Sequence, residues 1–235
     1  MASNRESSFG ARLLRAQQLG SYISNFQNYA PPRMEESVSG YSELLNQIVL
    51  VNTEEAQLRQ QYNTAVTNRI NAFRKDEASV IKILPLIRGQ ILAQYGKNSI
   101  EFNQIDRIIT NIRDTRITIK PATESTPELK ISQSEQSYGS LTQYFNELVT
   151  NLAQLPGYSP SNPALQIAQL HDFAAQINQM NIEAALRFQL LRDSRNRRRT
   201  NYKELKERTL RIKSYSKANY GINASEYTLI KGLQI

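Results

Sequence analysis

An all-α fold is the class this sequence predicts: an antiparallel four-helix bundle made of two tandem, diverged helical-hairpin units, preceded by an N-terminal arm. Three observations carry that expectation. Only 9 Gly and 8 Pro occur in 235 residues, too few for the frequent turns of a sandwich or barrel. Apolar residues recur at three- and four-residue steps over long stretches, the period of one buried helix face. A helix-end motif appears twice, 125 residues apart, as Tyr220 is from Tyr95. With 40% hydrophobic residues the chain can fill a core.

Along the chain, residues 1–40 read as the arm, whose amphipathic segment (Phe9, Leu13, Leu14, Tyr22, Ile23, Phe26) is stopped by Ala30-Pro31-Pro32. The first helical unit spans 41–113. Its opening helix carries Leu44, Ile48, Val51, Leu58, Tyr62, Ala65 and Phe73 on one face. A second helix over 76–95 places Ile81, Leu84, Ile87, Ile91 and Leu92 inward, and Pro85 is expected to kink it by removing a backbone donor. A short third helix covers 99–113. Residues 114–137 lose the period and gather Pro, Ser, Thr and charge, with a strand-like alternation at Ile117 and Ile119; they read as a linker. The second unit, 138–235, repeats the plan: a helix to Leu155, a turn at 156–160, a long helix over 163–199 and another over 201–220. Asn162 before Pro163 suits a helix start. Together, 41–235 are expected to form one bundle.

The duplicated motif pairs Tyr95-Gly96-Lys97-Asn98-Ser99-Ile100-Glu101-Phe102 with Tyr220-Gly221-Ile222-Asn223-Ala224-Ser225-Glu226-Tyr227. Each Gly is suited to the left-handed conformation that closes a helix, and Asn98 or Asn223, three residues before Glu101 or Glu226, suggests a capping box for the next one. In the second copy Ile222 and Tyr227 also fit a hydrophobic staple. A single Gly is far from a phosphate-cradling loop, so the motif reads as structural punctuation.

Lys213-Ser214-Tyr215, Tyr220-Gly221 and Ser225-Glu226-Tyr227, with Tyr95-Gly96 and Ser99-x-Glu101-Phe102 in the first half, resemble an uncharacterised helical family widespread in Bacteroidetes. The resemblance covers the last seventy or so residues and, more loosely, the first half. It implies a helical fold and a bacterial source, and it transfers no activity and no catalytic residue.

Chemistry is sparse. With no cysteine, disulfides, thiolate metal sites and a cysteine nucleophile are excluded. The one histidine, His171, lacks an acidic partner at helical spacing. Glu35-Glu36 and Glu54-Glu55 are adjacent, so on a helix they diverge by about 100° and read as surface charge. No phosphate loop, nucleophile elbow or zinc-protease motif occurs. An enzyme is not indicated, and no cofactor is expected. No segment reaches the roughly 18 apolar residues of a membrane span, and residues 1–30 have no secretory apolar run, so a cytoplasmic location is expected.

The formal charge of +8 is concentrated late in the chain: residues 138–235 hold 13 Lys plus Arg against 7 Asp plus Glu. Arg192, Arg195, Arg197, Arg198, Arg199, Lys203 and Lys206 lead this stretch, which continues through Arg208, Arg211 and Lys213. Arg192, Arg195 and Arg199 share a helix face able to neutralise phosphates, although a solvated face that complements the helix dipole is the plainer reading. The leading expectation is a non-enzymatic scaffold that self-associates through its arm into an oligomer or filament. A nucleic-acid-binding protein using 192–213, or an adaptor for an acidic protein partner, is the alternative.

Overall fold

The computed structural model describes residues 8–114 and 133–235. The all-α expectation holds for them. The helices are α1 (Phe9–Ser24), α2 (Val38–Ile70), α3 (Val80–Tyr95), α4 (Ile100–Asp114), α5 (Gln133–Gln154), α6 (Ile167–Tyr220) and α7 (Ser225–Lys231). Short 3-10 turns at Met34–Glu36 and Pro163–Leu165 lead into α2 and α6, and a π turn at Asn71–Lys75 ends α2. Of the expected linker, 115–132 and its Ile117–Ile119 alternation lie outside the described residues, and 133–137 open α5.

Two boundaries differ from expectation for clear reasons. The break expected near Thr200 is absent, because residues 167–220 contain neither Gly nor Pro; Thr200 instead turns its hydroxyl back onto the Asn196 carbonyl at 3.2 Å within an unbroken helix of 54 residues. Asn162 caps the 3-10 turn, accepting from the Ala164 amide at 3.0 Å, and α6 starts only at Ile167.

The chain divides into two compact units that do not follow the expected 41–113 and 138–235. Unit 1 combines Met1–Arg59 with Leu190–Ile235, and unit 2 is Gln60–Gln189. Each has its own core where a single shared one was expected. Unit 1 buries Ala16, Leu19 and Ile23 of α1, Tyr41, Leu44, Leu45 and Ile48 of α2, Tyr202, Leu205 and Ile212 of α6, and Ile230 of α7. Unit 2 is more apolar, with Ile83, Leu84, Ile87 and Ile91 of α3, Ile105, Ile108, Ile109 and Ile112 of α4, Leu141, Phe145 and Leu148 of α5, and Leu170 and Ile177 of α6.

Several bonds recur in the two units. The Tyr29 hydroxyl donates to the Glu36 carbonyl at 2.8 Å and that of Tyr158 to Leu165 at 3.0 Å. The residue before each tyrosine has positive φ, 58° at Asn28 and 74° at Gly157. Tyr220 donates to Gln27 and Tyr95 to Pro156, both at 2.8 Å. Arg198 lies over the Phe9 ring at 4.4 Å, and Arg69 over Tyr138 at 4.3 Å. Phe9 meets Tyr202 with ring centroids 4.6 Å apart, and Tyr138 meets Phe73 at 5.0 Å.

From α1 to Phe73 these equivalents lie 129 residues apart, as Tyr158 is from Tyr29; from α3 onward they lie 125 apart. The four-residue change falls at the π turn and the segment after it, where α6 runs on unbroken. Hence α1 makes in unit 1 contacts like those that α5 makes in unit 2. Each unit joins a segment from the first half of the chain to one from the second.

The duplicated helix-end motif closes α3 and α6 as expected, with differences in detail. Gly96 and Gly221 have φ of 86° and 101°, and their amides bond to the Leu92 and Lys217 carbonyls. Gly96 has ψ 158°, extended rather than left-handed-helical. Ser99, not Asn98, caps α4, accepting from the Phe102 amide at 3.0 Å; Asn98 and Asn223 are exposed. Ala224, at the Ser99 position, offers no side-chain cap, and Glu226 accepts instead from the Ser225 hydroxyl. Ile222 is 60% exposed, so a staple with Tyr227 has little to bury.

Gly96→Ala is expected to destabilise the protein by about 1–3 kcal/mol, because that φ and ψ pair is almost confined to glycine. Gly89→Ala, within α3 and with open space around its Cα, should stabilise by about 0.5–1 kcal/mol. Urea denaturation followed by circular dichroism tests both signs.

Candidate functional site: the arginine-rich stretch of α6

The cationic stretch singled out in the sequence lies on α6 in unit 1, and much of it is engaged within the chain. Glu55 of α2, at 2% exposure, accepts from two arginines of α6, Arg195 Nε to Oε1 at 3.2 Å and Arg198 Nη1 to Oε2 at 2.9 Å, with Arg59 of its own helix 4.0 Å away. Beside it, Arg197 bonds Glu54 at 2.6 Å. Adjacent residues on a helix diverge, so one acid of this pair turns inward and the other outward.

The Glu35-Glu36 pair divides the same way. Glu36 is 3% exposed and accepts from Arg211 Nε, with Arg33 at 3.9 Å, whereas Glu35 lies toward solvent. Arg208 donates to the Glu35 and Gly40 carbonyls at 3.1 and 3.0 Å and to Glu204 at 2.8 Å. The reading of both acid pairs as surface charge is therefore corrected for Glu36 and Glu55. A sequence signal existed for Glu55: it stands seven residues from both Ile48 and Tyr62, in phase with the apolar face.

These contacts leave visible marks on the charges. The hydrogen bond from Arg208 holds the Glu204 carboxyl below the usual glutamate range, and the bond to Glu36 raises Arg211. Burial lowers Lys213, whose ammonium donates to the Lys231 and Leu233 carbonyls at the end of α7. Arg192 lies 3.6 Å from Asp193. Arg199 lies 3.5 Å from Asn196 Oδ1. Arg199, Lys203 and Lys206 are exposed and form no ion pair among the described residues.

The apolar residues of the arm occupy unit 1 itself. Ile23 is buried, and Phe9, Leu13, Tyr22 and Phe26 pack partly buried on the same core, while Leu14 is 67% exposed. Around the end of α1, Phe26 meets Tyr220 with ring centroids 5.7 Å apart and Tyr29 meets Tyr215 at 5.4 Å. Burial pushes Tyr29 well above the ordinary tyrosine range, and raises Tyr41, whose hydroxyl is 3.4 Å from that of Thr209, to about 12. His171 is exposed on α6. No group of three or more His, Cys, Asp or Glu able to hold a metal ion occurs among the described residues, and no helix among them is long and apolar enough to cross a membrane.

Glu55→Ala should cost about 3 kcal/mol, the low end of the 3–5 kcal/mol for breaking a buried pair, since Arg195 keeps some access to water. Urea midpoints compare it with Glu54→Ala, whose half-exposed pair is worth about 1 kcal/mol or less. Alkali should act through the buried tyrosines. With its folded pKa above the ordinary 10.0, Tyr41 contributes stability that is fully present below pH 10 and lost as pH rises through about 12. Tyrosinate absorbance and helix loss should therefore advance together across that window. No protein-family model, curated protein or solved structure matches the chain.

Proposed function

We propose that this chain is a non-enzymatic structural protein that self-associates into an oligomer or filament. The observation that carries the reading is the recurrence of one recognition scheme in two units: Tyr220 on Gln27 and Tyr95 on Pro156, Arg198 over Phe9 and Arg69 over Tyr138. On this reading the two units are small antiparallel bundles descended from two diverged helical hairpins. A chain that carries two similar surfaces is able to join copies head to tail. Its apolar residues more than half exposed, among them Leu14, Met34, Leu50, Leu210 and Ile222 in unit 1, give such contacts material to bury. The apolar face of α1 is already used within unit 1, so association through the arm requires α1 to leave its own chain.

A second reading, binding of nucleic acid or of an acidic protein, is favoured by Arg199, Lys203 and Lys206, exposed at helical spacing. It has fewer cations at its disposal than the composition suggests, because Arg195, Arg197, Arg198, Arg208 and Arg211 are held by glutamates.

Size-exclusion chromatography with light scattering, at low and high salt and with the nucleic-acid-to-protein absorbance ratio recorded, separates the two. Self-association predicts a multiple of 26.9 kDa with a protein-like ratio at both salts. A monomer at both salts overturns it, and a raised ratio that falls in high salt transfers the case to nucleic acid.

A further inference from the structure

We infer that the partner in self-association is a second copy of this chain that exchanges halves with the first: residues 8–114 of one molecule pair with 133–235 of the other. The inference rests on the self-association reading and names the surface that serves it.

Neither unit is completed by one half. In unit 1, Glu36, Glu54 and Glu55 come from the first half, and Arg211, Arg197, Arg195 and Arg198, their partners, from the second. Its core divides likewise, with Leu19, Ile23, Tyr41 and Ile48 on one side and Tyr202, Leu205 and Ile212 on the other. In unit 2 the first half supplies Arg69, Phe73 and Tyr95, and the second supplies Asn181, Tyr138 and the Pro156 carbonyl.

In both units α2 and α6 run antiparallel. Partners of rising number on α2 fall on α6, from Asn52 on Tyr202 to Glu55 on Arg195 in unit 1 and from Gln61 on Arg187 to Arg69 on Asn181 in unit 2. The halves are thus two complementary faces, joined covalently through 115–132 alone. Nothing in these bonds requires both halves to belong to one molecule. Only the effective concentration set by the covalent connection favours the closed monomer, and exchange of identical elements re-forms every bond between copies. Reciprocal exchange closes a dimer; exchange passed from copy to copy gives an open chain.

The test uses the full-length protein with a protease recognition sequence inserted between Thr123 and Glu124, refolded at high concentration and isolated as an oligomer. If halves are exchanged, cleavage severs the only link between closed pairs, and the oligomer collapses to two-fragment particles of about the monomer mass of 26.9 kDa. An oligomer that keeps its mass after complete cleavage overturns exchange and leaves self-association standing. A protein that yields no oligomer overturns both. Fragments that separate from one another overturn the composite units themselves. Cross-linking of an oligomer refolded from equal parts nitrogen-15-labelled and unlabelled native chain tests the same exchange without the insertion. Cross-links between residues 8–59 and 190–235 then carry mixed isotopes if halves are exchanged; matched isotopes alone overturn the proposal.

Discussion

A carboxylate withdrawn from water is tolerable only where cations meet it, and Glu55 meets Arg195 and Arg198 of α6 besides Arg59 of its own helix. That requirement fixes which face of α6 lies on α2 in unit 1. Arg198 in turn covers the Phe9 ring of α1, so the same cation helps seat the first helix. Along the same helix Arg208 holds the backbone around the 3-10 turn and Arg211 meets Glu36. The fold of unit 1 therefore depends on arginines aimed inward from one stretch of helix.

Unit 2 solves the same packing problem with fewer charges. Arg69 keeps the place over an aromatic ring that Arg198 has in unit 1, but the position matching Glu55 is Ala184, fully buried, and Asn181 takes the guanidinium at 3.1 Å. Likewise Leu165 is buried where unit 1 has Glu36. At these matched sites unit 1 has ion pairs where unit 2 has apolar contact, while the tyrosine-to-carbonyl bonds that tie the turns are alike. The ladder of isoleucines on α4, against the short α7, adds to the asymmetry: unit 2 relies on burial and unit 1 on charge.

Periodicity reports which side of a helix is buried and is silent about what covers it. For that reason α4 was legible in the sequence to within a residue at each end, and the Tyr-Gly closures of α3 and α6 with it, whereas α3 starts at Val80 rather than 76 and leaves Leu92, expected inward, exposed. The continuity of α6 was legible too, had the absence of Gly and Pro from 167–220 outweighed the charge and polarity around Thr200. The equivalence of α1 and α5 was hidden, because Phe9, Ala16 and Leu19 answer to Tyr138, Phe145 and Leu148 with little identity, and the π turn shifts the register by four. Reciprocal assembly leaves no local trace at all: Glu55 and Arg198 stand too far apart in the chain for any spacing rule to join them. The basic stretch was visible as charge, but which of its arginines are held by glutamates within the chain was not, for the same reason.

Long antiparallel helices with repetitive faces can slide by a turn at little apolar cost, and the inward arginines of unit 1 oppose such a slip. Moving α6 by one turn in one direction would set Glu55 against Leu191 and Ser194, both buried. The carboxylate would then lose both hydrogen-bonded cations and keep only Arg59 of its own helix at 4.0 Å, and a poorly compensated buried charge is costlier than an imperfect apolar contact. Movement the other way would bring Arg199 and Tyr202 to Glu55, removing the tyrosine from Phe9 and from Asn52, whose amide its hydroxyl accepts at 3.0 Å. Register in unit 1 is in this way written in charge, and the constraint is indifferent to whether α2 and α6 belong to one chain or to two. Only the correct register satisfies Glu54 and Glu55 together, so a neighbouring copy that supplied α6 would have to enter at the same position.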